Sequence, residues 1–203
     1  MARLDCSKII YKITKLTLLI WITYIILSTT KIPNFTTENL QRLIVKSNKI
    51  HSVTLVIAHP DDEVMFFAPT LLNLNEMVPK DVSFNVVCYS NGDAEGLGDI
   101  RALELQHSIK LLLSQRITNT TILDHKDGMD EVWDAGKMLS QLNNIIPTSL
   151  PKGKQNIVLT FDKDGVSNHI NHKKCFEVAS KYHSNNMKST LSVSYTHLTL
   201  PTN

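Results

Sequence analysis

Cysteine is scarce in this chain: Cys6, Cys88 and Cys175 are an odd number, and no two stand in CxxC spacing. A disulfide framework and a thiolate metal site are therefore both disfavoured, and Cys88, inside an apolar run, reads as a small buried hydrophobe. Aromatics make up only 6% of residues, and the formal net charge of +2 comes from charges spread along the chain without an extended basic face. Nucleic acid is thus excluded as an expected partner. There is no Gly/Ser-rich linker and no internal repeat, and 203 residues suit one sizeable core plus an appendage.

The appendage is N-terminal. Leu16 to Leu27 carries no charge, and extending it to Thr30 and back to snorkelling Lys12 and Lys15 approaches the roughly 20 residues that span a bilayer. The expectation is a retained transmembrane helix within residues 1–31. A cleaved signal peptide would share the basic start at Arg3, Lys8 and Lys12, but no small-x-small cleavage site follows Leu27. Basic residues flank the run on both sides, so charge alone does not orient it. Residues 32–50 read as a linker with a short helix from Thr37 to Lys46.

Beyond the linker, strand-like and helical patterns alternate. Strands are expected at Val53 to Ala58, Ser83 to Ser90, Thr120 to Leu123 and Asn156 to Thr160. Helices are expected at Val64 to Leu74, interrupted by Pro69, at Ile100 to Leu112 with Leu103, Ile109 and Leu112 inward, at Asp130 to Leu142, and at His169 to Tyr182. This order predicts βαβ units closing a largely parallel sheet, an α/β fold class.

Two clusters carry chemistry. His59-Pro60-Asp61-Asp62-Glu63 follows the first strand directly, at the kind of strand-to-helix corner where open α/β sheets bind ligands. Alone, its acids would serve equally well as dressing for a helix N-terminus. The second cluster, Thr160 to His172, also follows a short apolar strand and ends in His169 and His172, spaced to share a helix face. Two histidines and a carboxylate with one open position form the usual set for a catalytic zinc. His59, Asp62 and His172 would be the ligands, Asp61 the non-ligating base that deprotonates the attacking water, and His169 the donor to the oxyanion or the leaving amine. That is hydrolytic amide chemistry. His51, His107, His125, His183 and His197 lack such company and read as ordinary residues. The loop Asn91 to Gly98 lacks a Walker lysine, and its acids repel phosphate, so it reads as a sugar-contacting rim or a tight turn.

Ala58 to Glu63 together with His169-x-x-His172 resembles the LmbE/PIG-L family of zinc de-N-acetylases. Ser90 to Gly98 followed by Arg101, Glu104 and Leu105, then Asp127-Gly128-Met129 with Trp133-Asp134, then Thr160-Phe161-Asp162 with Gly165-Val166-Ser167, resemble its eukaryotic branch. The resemblance runs from Val53 to Ala179 in order. It implies a Rossmann-like three-layer fold and a zinc or other divalent ion on His59, Asp62 and His172. Asp61 would be the base and His169 the acid. The implied activity removes acetate from GlcNAc-phosphatidylinositol, the second step of GPI-anchor synthesis, at the cytoplasmic face of the endoplasmic reticulum membrane. Arg101 matches a family arginine placed to meet substrate phosphate, its other reading being a surface residue paired with Glu104. Asp93 is a candidate sugar contact. A cytoplasmic domain would leave the sequons at Asn34 and Asn119 unmodified. The alternatives are a de-N-acetylase of a soluble GlcNAc conjugate and a catalytically idle lipid-sugar-binding subunit. Asn168 stands where the family often has glycine, a mild change since Asn tolerates the left-handed region. The family-like domain would cover 51–191 and lack its final edge element, with 192–203 a non-native tail.

Overall fold

Val53, Leu55, Val56 and Ile57 are all almost fully buried, because the first strand is covered on both faces. A strand in that position needs a continuous apolar run rather than an alternating one, the mark of a parallel sheet between helical layers. The computed structural model describes residues 11–26, 49–146, 150–186 and 189–194. The described residues from 49 onward form one unit, whose five-stranded sheet has the order β3-β2-β1-β4-β5. The strands are β1 (Ile50–Ile57), β2 (Ser83–Cys88), β3 (Thr118–Ile122), β4 (Gln155–Phe161) and β5 (Ser189–Ser194), and every pairing is parallel.

The helices are α1 (Asp62–Met65), α2 (Ala68–Met77), α3 (Gly98–Leu112), α4 (Ala135–Ile145), α5 (Gly165–Asn168) and α6 (Ile170–Asn185). α2 packs on α3, and α4 packs on α6. The sheet lies between these two pairs, giving the three layers expected of a Rossmann-like chain. Register is pinned by polar pairs inside the sheet. Ser52 Oγ donates to Asn156 Oδ1 at 2.7 Å, and Thr160 Oγ1 donates to the Val56 carbonyl at 2.9 Å. A one-residue slip would leave such buried groups unpaired, so the pairs disfavour alternatives as well as stabilising this one.

Several expectations shift. Pro69 does interrupt the expected helix: α1 ends at Met65, buried Phe67 turns inward onto Phe161, and α2 restarts with the proline in its first turn. The helix expected from Asp130 begins only at Ala135. Trp133 is drawn into the core, and the Asp134 side chain caps Lys137 N–H. In α3 the inward stripe is Leu105 and Ile109, whereas Leu103 is 55% exposed. The sequence reading named no strand after the last helix, and the structure places one there. β5 lies beside β4 and reaches Ser194, so that Ser192 and Val193 pair with Leu159 and Thr160.

Residues 11–26 are helical and belong to a separate unit. Among the described residues no helix is long and apolar enough to cross a membrane. The rest of the expected anchor, the Thr37 to Lys46 helix, Cys6, Asn34 and His197 lie outside the described residues.

The two leucines of α3 give a direct check on the corrected stripe. Leu105→Ala is expected to cost about 3 kcal/mol, whereas Leu103→Ala stays within about 0.5 kcal/mol, both read from urea unfolding midpoints.

Candidate active site

The strand order reverses between β1 and β4, so the loops leaving their C-terminal ends diverge and open a crevice there. β1 runs straight into the His59 to Glu63 corner, and β4 into the loop that carries α5 and the start of α6. The two sequence clusters meet in this crevice. His59, Asp62 and His172 are all buried, and one candidate ligand atom from each lies within 4.8 Å of the others.

Each of the three is held by its neighbours. Asp62 Oδ2 accepts from the backbone N–H of Ala58 at 3.0 Å and of His59 at 2.8 Å, which leaves Oδ1 facing His172 Nε2 at 3.2 Å. His172 Nδ1 lies 3.0 Å from the Gly165 carbonyl, so that nitrogen carries the proton and Nε2 keeps its lone pair. The His172 ring stacks on Phe161 at 4.0 Å. His59 turns Nε2 to Asp127 Oδ1 at 3.1 Å and Nδ1 toward Asp62, 4.0 Å away. A carboxylate on the far nitrogen of a histidine is the usual way of fixing its tautomer at a metal. Burial lowers the His59 pKa against the opposing pull of Asp62 and Asp127, favouring the neutral ring that a metal needs. Donors around one tetrahedral zinc stand about 3.4 Å apart, so this two-imidazole, one-carboxylate set fits a divalent ion.

Asp61 stands at the rim, half-exposed and not among the converging ligands. Its backbone is left-handed, with φ 112°, a conformation that costs on the order of 1–3 kcal/mol. Burial and Asp62 raise its pKa, while Arg101 lowers it. Arg101 Nη2 donates to Asp61 Oδ2 at 2.9 Å and to the Pro60 carbonyl at 2.8 Å, and Nη1 donates to the Gly92 carbonyl at 2.8 Å. Arg101 also lies 3.5 Å from Asp127. Its ion pairs therefore run into the site and not to Glu104. A Cβ on Gly92 would fall 2.4 Å from the guanidinium and push that side chain aside, and the φ of 76° there favours glycine as well. A cleft of about 280 Å³ opens beside Asp61, bounded in part by Val64, Met65 and Arg101.

His169 is the N-cap of α6 rather than part of it, and its ring stacks on His172 at 4.5 Å. Burial and His172 lower its pKa, with Asp62 and Asp127 opposing. Asn168 does adopt the left-handed conformation, with φ 65°. Asp93 Oδ1 accepts from Gly98 N–H at 2.8 Å, ordering the turn before α3. His125, read from sequence as an ordinary residue, is buried with Nε2 2.7 Å from Gln141 Oε1. Cys88 and Cys175 are both buried and unbridged. Four residues here had no role in the sequence reading: Glu63, Asp127, Trp133 and Asn171. Asp127 and Trp133 were visible only inside a longer motif. Asn171, fully buried with Oδ1 unpartnered and Nδ2 3.4 Å from His59 Nε2, sits between the two histidines that drew attention.

Residues 54–183 match the family described as PIG-L: GlcNAc-PI de-N-acetylase. The N-acetylglucosaminyl-phosphatidylinositol de-N-acetylase of Saccharomyces cerevisiae is 44% identical over 180 residues, covering 88% of this chain and 59% of that protein. The Bos taurus protein of the same name is 36% identical over 121 residues, 58% of this chain and 45% of its own. The chain thus spans about half the length of the curated relatives it matches. Among solved structures, N,N'-diacetylchitobiose deacetylase from Pyrococcus horikoshii shares the fold, with a TM-score of 0.57 at 19% identity over 84% of this chain and 69% of that one.

Gly165 tests how the second cluster is held. It has φ 63°, and a Cβ there would lie 2.8 Å from the Lys173 backbone nitrogen and 3.1 Å from His172 Cβ. Gly165→Ala displaces the carbonyl that orients His172, and a loss of metal affinity of about 10- to 100-fold is expected in competition titrations with a zinc chelator.

Proposed function

This chain belongs to the PIG-L family of GlcNAc-PI de-N-acetylases, and on that premise we propose that it hydrolyses the acetamide of N-acetylglucosaminyl-phosphatidylinositol to acetate and glucosaminyl-phosphatidylinositol. The observation that carries the proposal is the convergence of His59, Asp62 and His172 at the strand switch point, with Asp61 and His169 beside them.

His59, Asp62 and His172 would hold the divalent ion, zinc being the first choice for this donor set, with iron or cobalt also accommodated. When bound, that ion supplies a Lewis acid for the acetamide carbonyl and acidifies a neighbouring water. Asp61 takes the proton of the attacking water, on a carboxylate whose pKa burial has moved up from its ordinary value and so toward the working pH. His169 delivers a proton to the departing amine or a hydrogen bond to the carbonyl oxygen as it gains charge. Asp127 keeps His59 in one tautomer throughout. On the substrate side, Arg101 is offered to the phosphate and Asp93 to a sugar hydroxyl.

The lipid tail of such a substrate calls for an enzyme held at a membrane. The uncharged run Leu16 to Leu27, helical over its described part, is proposed as a single-pass anchor. The proposed location is the endoplasmic reticulum membrane with the catalytic domain on the cytoplasmic side.

Full-length chain in detergent, given GlcNAc-phosphatidylinositol, is expected to release acetate; a chelator abolishes release and zinc restores it. Bound metal without acetate from this substrate, but with acetate from a soluble GlcNAc conjugate, would move the assignment to the soluble class. Neither metal nor acetate would leave only a binding role. Asp61→Asn is expected to keep its metal and lose about 10²- to 10⁴-fold in kcat, whereas His172→Ala loses metal and turnover together. Near-normal turnover in Asp61→Asn would remove it as the base.

A further inference from the structure

Asp61 adopts a backbone conformation that side-chain-bearing residues disfavour, and Asp only somewhat less than others. Such a residue persists only where its surroundings over-determine it. Its carbonyl accepts from Val64 N–H at 3.0 Å and Met65 N–H at 2.9 Å, which starts α1. Its own N–H turns back and donates to Glu63 Oε2 at 2.9 Å. The other Glu63 oxygen accepts from Ser108 Oγ, a hydroxyl that also lies 3.0 Å from the Leu105 carbonyl.

Glu63 is only 2% exposed and sits next to Asp62, yet no cation pairs with it among the described residues. Burying a carboxylate without a counter-charge is costly, and a leucine would fill similar space without that cost. What a leucine lacks is an acceptor for the Asp61 amide. Ser108 and Arg101 stand seven positions apart on α3, so they project from one face of the helix. Arg101 grips the carboxylate of Asp61, and Ser108 reaches its amide through Glu63.

We propose that Glu63, backed by Ser108, is a positioning residue that locks Asp61 in its left-handed conformation and so aims the base carboxylate at the reacting water. The inference rests on Asp61 being the base of the proposed reaction.

Three variants of the full chain separate this role from a general structural one. In Glu63→Gln the amide oxygen still accepts from Asp61 N–H, and its NH₂ donates to Ser108 Oγ, whose proton turns to the Leu105 carbonyl. Glu63→Leu breaks the chain of bonds. With metal content and KM unchanged, kcat is expected to fall about 100-fold in Glu63→Leu, several-fold in Ser108→Ala and at most about threefold in Glu63→Gln. In an Asp61→Asn background Glu63→Leu should add no further loss, because it acts through Asp61. The Asp61 amide proton, shifted downfield by its carboxylate acceptor, should move upfield in Glu63→Leu and stay put in Glu63→Gln. Normal kcat in a folded Glu63→Leu protein, equal damage from Gln and Leu, or additive losses with Asp61→Asn would each overturn the proposal. Should Glu63→Leu fail to fold, Ser108→Ala decides: unchanged kcat together with an unmoved Asp61 amide overturns it. A wild-type chain that releases no acetate sinks the proposed function instead, and the amide shift then judges the Glu63 bond independently.

Discussion

Val53 to Leu55 on β1 pair in parallel with Ile157 to Leu159 on β4, and this register sets where two distant loops emerge. His59 and Asn171 are 112 positions apart in the chain, yet their side chains lie 3.4 Å from each other. A parallel pair delivers both C-terminal ends to the same edge of the sheet, and the switch in strand order keeps helices from filling the gap between them. The buried Ser52 to Asn156 and Thr160 to Val56 bonds then make a slipped register expensive. If β4 moved by one residue, His172 would lose Asp62 and the ligand set would disperse.

Once the two loops are fixed, the difficulty at the crevice is electrostatic. Asp61, Asp62, Glu63 and Asp127 crowd a largely buried space with three imidazoles, two of them with lowered pKa values. Asp62 is satisfied by two backbone N–H groups, Glu63 by an amide and a hydroxyl, and Asp127 by His59 and Arg101. Arg101 is the one guanidinium among these contacts, and it passes beside Gly92, where a Cβ would crowd it. A bound cation would complete the compensation, and the same arrangement that tolerates the charges also points three lone pairs at one place.

How much of this the sequence disclosed differs residue by residue. His59, Asp62 and His172 were legible because each stands beside a strand end in a chemically unusual run, and Pro60 announces the turn. Pro69 correctly signalled a broken helix. Leu103 was misplaced because a helical period identifies a face only to within a residue or two, and packing against α2 and the sheet selected Leu105 instead. The late start of α4 goes with Trp133, whose indole N–H reaches the Lys126 carbonyl at 2.8 Å across a turn at Met129 and Asp130, where the chain is not helical. Asp127 and Arg101 gave no local rhythm of their own, since their partners lie on other elements.

The chain by itself determined the α/β alternation, the buried identity of its central strands and the inventory of the site, because propensity, period and residue chemistry are local properties. It did not determine which acid holds a histidine, which one holds a backbone amide, or how each carboxylate is turned. Asp61, Asp62 and Glu63 are neighbours of similar chemistry in the sequence. Only the folded backbone, left-handed at Asp61 and helical from Asp62 onward, turns them in three directions: one to the rim, one to the ligand set and one back to Ser108. Direction is set by dihedral angles and by partners contributed from β4, α3 and α6, and those meet only when the sheet has closed.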